Sequence, residues 1–204
     1  MYIARDDGLN IIEDHKASID HQALYERLMS CACNSRGKGN TPFLAQMLAS
    51  WMCGQGALPR FMGLDEETFK AMISGSFAQF KNAGLQTRCD IEPDRANELE
   101  DVKTLLLDHR SHQSDEELWI AQIVATGSMG SDHLWSDLGL FARKSLGEML
   151  LYNFRPLAEQ NTNNMRWKKF FYRQLCAKEG FVLCRSPSCE TCSEYTVCFA
   201  PEGA

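Results

Sequence analysis

The sequence predicts an all-α fold: a compact helical body followed by an irregular, cysteine-rich C-terminal loop with the makings of a metal-cluster site. Three observations predict it. Apolar residues recur three and four apart through most of the chain, the spacing of a helix with one buried face. No stretch of useful length alternates apolar and polar as a half-buried strand would. Five of the nine cysteines fall in the last 29 residues.

The elements follow in order. Residues 1–17 show no clear period and read as a loose arm, ahead of a helical body over residues 18–180 and a cluster-binding tail over 181–204 packed on it. Ser18 is placed to cap a first helix with Leu24, Leu28 and Cys31 on one face, which the Gly-rich run Asn34 to Asn40 ends. Thr41 followed by Pro42 reads as an N-cap with proline at the first helical position, and Leu44, Met47, Leu48, Trp51 and Met52 form the clearest stripe of the N-terminal half. Asp65 caps a third helix with Phe69, Met72, Ile73 and Phe80 apolar.

Pro93 starts a segment with Leu99, Val102, Leu105 and Leu106 inward, and Ser114 with Glu117 forms a capping box ahead of Trp119, Ile120, Ile123 and Val124. After Ser131 the pattern predicts one helix holding Leu138, Phe141, Leu146, Met149 and Leu150. Another runs from Asn163 to Lys178 with Trp167, Phe170, Phe171 and Leu175 on one side. No 20-to-50-residue repeat or low-complexity block interrupts the body.

Composition narrows the function. No stretch approaches the roughly 18 apolar residues that span a bilayer, and Met1 to Lys16 is acidic and polar where an export signal needs a basic start and an apolar middle. A cytoplasmic protein is expected, and there nine cysteines are better used for metal than for disulfides. The net charge of -6 argues against nucleic-acid binding. The charge is uneven: Arg166, Lys168, Lys169, Arg173 and Lys178 make one segment +5 and leave -11 for the rest.

Cys184, Cys189, Cys192 and Cys198 are spaced four, two and five residues apart. Four thiolates within fifteen residues converge only if the chain wraps one centre, and Pro187 and the serines suit such a wrap. Both an iron-sulfur cluster and one zinc ion fit. Structural zinc sites use two close pairs, whereas only Cys189 and Cys192 form one here; iron-sulfur ligation accepts more varied spacings.

Other residues compete with blander roles. Cys176 lies one to two turns before the quartet and is a possible further ligand or a small buried hydrophobe. Cys31 and Cys33 would point about 200° apart on a helix, which favours packing. His133 is a possible nitrogen ligand or an ordinary helix-start residue. His109 and His112 sit with Arg110 and Asp115 in what reads as a solvated turn. On the basic helix, Lys169 and Arg173 share a face that could attract an oxoanion, whereas Lys168 stands apart; Lys178 suits the negative end of the helix dipole.

The string Met165-Arg-Trp-Lys-Lys-Phe-Phe-Tyr-Arg-Gln-Leu-Cys-Ala-Lys-Glu-Gly180, running into the cysteine quartet and ending Cys198-Phe199, is similar to the C-terminal signature of the NifQ family. Asp132-His-Leu-Trp-Ser-Asp-Leu-Gly-Leu140 resembles that family too. The similarity is close from Asp101 to Phe199 and vaguer before. It implies an iron-sulfur protein that takes molybdenum into a molybdenum-iron-sulfur cluster and donates it for nitrogenase iron-molybdenum cofactor assembly in nitrogen fixation. Molybdate would be its cargo, and the cofactor scaffold and the nitrogenase iron protein its partners. The family's motif falls on Cys184, Cys189, Cys192 and Cys198 without departure in spacing.

A metallocluster carrier is therefore the expected function, and no nucleophile set, phosphate loop or dinucleotide fingerprint supports an ordinary enzyme. The competing class is a zinc-stabilised helical interaction module. Colour separates them, because a filled d shell leaves zinc protein colourless.

Overall fold

The computed structural model describes residues 20–32, 39–78, 80 and 96–179. Among these, every regular element is helical, as the apolar spacing predicts. The expected arm and cysteine-rich tail lie outside the described residues.

Helix α1 (His21–Ser30) buries Leu24 and Leu28 against α2 (Thr41–Met52). Its cap is Asp20, whose carboxylate accepts Gln22 N–H at 3.0 Å; Ser18, the expected cap, lies outside the described residues. Cys31 caps the C-terminus and is half-buried. In α2 the stripe Leu44, Met47, Leu48 and Trp51 is buried as predicted, but the cap moves back one residue to Asn40, leaving Pro42 within the first turn. The Asn40 side chain does not cap the helix. It exchanges hydrogen bonds of 2.8 and 2.6 Å with Asn153, so two buried amides satisfy each other across the core.

An unpredicted 3-10 turn, Arg60–Gly63, precedes α3 (Glu66–Ser76). Phe61, Met62 and Gly63 all have positive φ (54°, 59° and 83°), a conformation costly for the first two. Burial offsets the cost: Met62 is fully buried, and a Cβ on Gly63 would meet Thr126 Cγ2 at 2.6 Å, so the chain crosses Thr126 where only glycine fits. Asp65 caps α3 as expected, accepting Thr68 N–H at 2.8 Å, and Phe80 lies beyond its end.

Helix α4 (Ala96–Leu107) turns Leu99, Val102, Leu105 and Leu106 inward against α5 (Glu116–Ser128); Pro93 is outside the described residues. The capping box before α5 is replaced by a stronger device. Ser114 does not cap; Glu117, fully buried, reaches back to accept from His112 N at 3.2 Å, Gln113 N at 2.7 Å and Arg110 Nε at 2.8 Å. Burial pushes its carboxyl up, but these hydrogen bonds and the guanidinium charge hold it below the ordinary range. The connector that reads as a solvated turn is thus partly buried, with His109 Nδ1 2.8 Å from Leu105 O.

The helix expected to hold Leu138, Phe141, Leu146, Met149 and Leu150 is broken into α6 (Leu134–Asp137) and α7 (Arg143–Asn153). Gly139 causes the break, with φ 73° and a site where a Cβ would sit 2.6 Å from Ser50 Cβ. A short α8 (Arg155–Ala158) follows, and α9 (Trp167–Glu179) starts four residues later than predicted, because Asn161 and Met165 close a loop by reciprocal hydrogen bonds of 2.9 and 2.8 Å. Leu28, Leu48, Phe69, Leu106, Val124, Met149 and Phe171 belong to one apolar core shared by all these helices.

Candidate metal-handling site

The four motif cysteines, Cys184, Cys189, Cys192 and Cys198, lie outside the described residues, as do Cys33 and Cys89. The structure therefore speaks to the platform that precedes them. Among the described residues no three His, Cys, Asp or Glu side chains gather as a metal site. Among the described residues Cys31, Cys53 and Cys176 are outside any disulfide. Cys176 is buried, and burial followed by the Asp20 charge pushes the Cys53 thiol up, away from the thiolate that binds metal.

The platform is α9. Trp167, Phe170 and Phe171 enter the core, with the Trp167 and Phe170 rings meeting edge-on at 5.7 Å. Polar side chains also tie the helix to α4. Tyr172 hydroxyl donates to Glu98 at the start of α4, and Lys178 Nζ reaches Asp108 Oδ2, just past the end of α4, at 2.8 Å. The Lys178 hydrogen bond and charge hold the Asp108 carboxyl below its ordinary value.

Lys168 makes the inward connection. Its ammonium donates to Gly130 O at 2.8 Å and to Asp137 Oδ2, with the two side chains only 17% and 6% exposed. Asp137 is the hub of its own loop as well: Oδ2 also accepts Asp132 N–H at 3.0 Å, and its carbonyl accepts Ala57 N–H at 2.8 Å. Backbone packs so closely here that a Cβ on Gly130 would lie 2.5 Å from Asp137 Oδ2 and one on Gly56 2.8 Å from Asp137 O. Sequence reasoning singled out His133 and the outer basic residues and missed Asp137. No local signal singles it out: Asp137 stands between Ser136 and Leu138 inside the Asp132-to-Leu140 string.

His133 is the N-cap of α6, its ring half-buried and its backbone N–H held by Asp132 Oδ1 at 2.7 Å. That bond, with one from Ser136 Oγ at 3.0 Å, keeps the Asp132 carboxyl below its ordinary value, so the loop is charged and pre-shaped at neutral pH. The structure thus brings the His133 segment against the first turn of α9 through Lys168. Lys169 and Arg173 are exposed on the outer face of α9, as their helical angles predict. Trp135 Nε1 and Arg166 Nε, each two residues from a member of the Asp137–Lys168 pair, are buried with no acceptor among the described residues. Both are donors only, so what either can take is an acceptor oxygen or sulfur.

No helix among the described residues is long and apolar enough to cross a membrane. No solved structure matches the chain. A family model described as NifQ matches residues 43–200, a span that includes both the platform and the cysteine quartet. Protein NifQ of Azotobacter vinelandii is 42% identical over 176 residues, covering 81% of this chain and 90% of that one. Protein NifQ of Rhodobacter capsulatus is 40% identical over 162 residues, covering 78% and 87%. A shorter match, to protein NifQ of Klebsiella pneumoniae, is 51% identical over 81 residues, or 39% of this chain and 48% of the relative. With its cysteine spacing, its helical body and a match over most of its length, the chain belongs to the NifQ family.

Proposed function

We propose that the protein is an iron-sulfur carrier that receives molybdenum at the four-cysteine segment and donates it for assembly of the nitrogenase iron-molybdenum cofactor. The observation that carries this reading is that the family match runs through Cys184, Cys189, Cys192 and Cys198. The donor set suits the group: soft thiolates favour iron-sulfur clusters, whereas a molybdate oxoanion needs cationic donors, which Lys169 and Arg173 would supply on the exposed face of the helix just before the quartet. His133 is the candidate non-thiolate ligand, and Cys176 a packing residue. The acceptors would be the cofactor scaffold and the nitrogenase iron protein, and the role is accessory, without turnover of its own.

Anaerobic purification with analysis for iron, molybdenum and zinc tests the reading. Brown protein containing iron, able to gain molybdenum from molybdate, is expected. Replacing any motif cysteine by alanine should reduce iron sharply while helical circular dichroism persists, because the core of the body lies in other residues. Colourless protein with stoichiometric zinc, or four single variants with full iron, would overturn it in favour of a zinc-stabilised interaction module.

A further inference from the structure

We infer that Lys168 and Asp137 form a positioning latch for molybdenum uptake, and that Lys168 differs in role from its neighbours Lys169 and Arg173 on the same helix. The inference rests on the carrier reading above. Three cations within six residues look equivalent in the sequence, but the fold separates them. Lys169 and Arg173 face solvent, whereas Lys168 is withdrawn to 17% exposure and its ammonium is held by Asp137 Oδ2 and Gly130 O. A cation so enclosed is a poor attractor of incoming anions.

What the pair does is join two segments distant in sequence: the 130–137 loop that carries His133, and the first turn of the helix that leads to the quartet. A buried ion pair is weak evidence for stability, because apolar replacements of similar volume are often neutral or better. Its distinguishing property is directional. Lys168 meets two acceptors and Asp137 two donors, and the glycine at 130 and the Ala57 N–H bond leave the loop no other seat. With Trp167, Phe170 and Phe171 seating α9 in the core, this contact is the polar tie between its first turn and the His133 loop. Residues that orient metal ligands from behind typically change metal affinity about 10- to 100-fold when lost.

The two roles predict opposite outcomes for one substitution. Asp137→Asn leaves the Lys168 charge but unlatches it: a latch loses function, whereas a recruiting cation freed from its partner would gain. The experiment measures the molybdenum-to-iron ratio of anaerobic full-length protein after loading with molybdate, at low and high salt, with helical signal and Tm recorded. The variants are Lys168→Met, Asp137→Asn, the double variant, which leaves no unpaired buried charge, and Lys169→Gln with Arg173→Gln. Expected are falls of about tenfold in the ratio for all three latch variants, equal at both salt concentrations because a buried contact is little screened. Iron and helical signal should be retained, and the outer-face variant should show a fall that shrinks at high salt.

The latch is overturned if Asp137→Asn keeps or raises the ratio, if the Lys168→Met loss fades with salt, or if the double variant loads molybdenum like the parent. It is equally overturned if the double variant loses helical signal and iron together, since the pair would then be a general stability element. A parent that binds neither iron nor molybdenum would instead sink the carrier reading itself, so the two failures are distinguishable.

Discussion

Arg110→Met should destabilise the body strongly and in a pH-dependent way. The substitution keeps the aliphatic stem but removes the guanidinium that donates to Glu117 Oε2 at 2.8 Å and to Ser114 O at 3.1 Å. Glu117 has no exposed surface, so it cannot recover the loss from water. Removing one partner of a buried pair costs about 3–5 kcal/mol. Arg110 keeps 19% exposure and Glu117 retains amide bonds from His112 and Gln113, which places the expected cost near the low end, about 3 kcal/mol at pH 7.5.

The sign of the pH effect follows from the carboxyl. In the parent its folded pKa lies below the unfolded value of about 4.3, so its contribution is complete above that value and is lost as pH falls through the folded pKa. In the variant, burial dominates and the folded pKa rises above the unfolded one; the neutral acid is then tolerated at low pH and the penalty grows as pH rises. Urea unfolding followed by helical circular dichroism at pH 4.5 and 7.5 measures the gap between the proteins. A gap that widens by at least 1 kcal/mol at the higher pH is expected from these opposed shifts, and Arg110→Met with Glu117→Gln should recover part of it. A gap under about 1 kcal/mol at pH 7.5, in the range of a surface pair, would refute the reasoning.

Gly63→Ala should cost about 3 kcal/mol, from a left-handed backbone and a Cβ pressed on Thr126, and lower Tm by roughly 6–12 °C; a thermal melt checks it. Asn40→Ala should cost about 2 kcal/mol, because Asn153 loses its amide partner in a buried setting, although its amide still reaches Met149 O; Asn40→Ala with Asn153→Ala should cost less than the sum of the singles in a double-mutant cycle. Replacing Cys31, Cys53 and Cys176 together by alanine should leave the iron content of anaerobic protein unchanged, at a stability loss of about 1–2 kcal/mol for the buried thiol; loss of half the iron or more would make one of them a ligand.

The apolar periodicity made the helices legible because burial is collective: Leu44, Met47, Leu48 and Trp51 face the core whatever happens at either end of α2. Helix ends were less legible, because a cap is a contest between neighbours. Asn40 displaces Thr41 since its amide is required by Asn153, 113 residues away. The break at Gly139 is of the same kind. Its cause is the proximity of Ser50, which no local pattern contains. Cys184, Cys189, Cys192 and Cys198 lie outside the described residues, so their reading rests on spacing and family likeness. Asp137 was not legible: an aspartate next to a leucine reads as solvent-facing until its lysine, 31 positions on, is brought to it.

The contacts of α9 are graded in a way that bears on how a metal-binding segment can be attached to a stable body. At its start the helix is held by Trp167, Phe170 and Phe171 in the core and by the enclosed Lys168 ammonium. Toward its end one polar contact joins Lys178 to Asp108, whose side chains are 61% and 49% exposed, a pair of the kind worth little. The first turns therefore share the stability of the core, and this last contact adds little to it. A cluster that must accept one metal and later release it needs ligands free to rearrange and a fixed reference for them to return to. For the proposed carrier role, the enclosed contact of Lys168 with Asp137 at the start of α9 would serve as that reference.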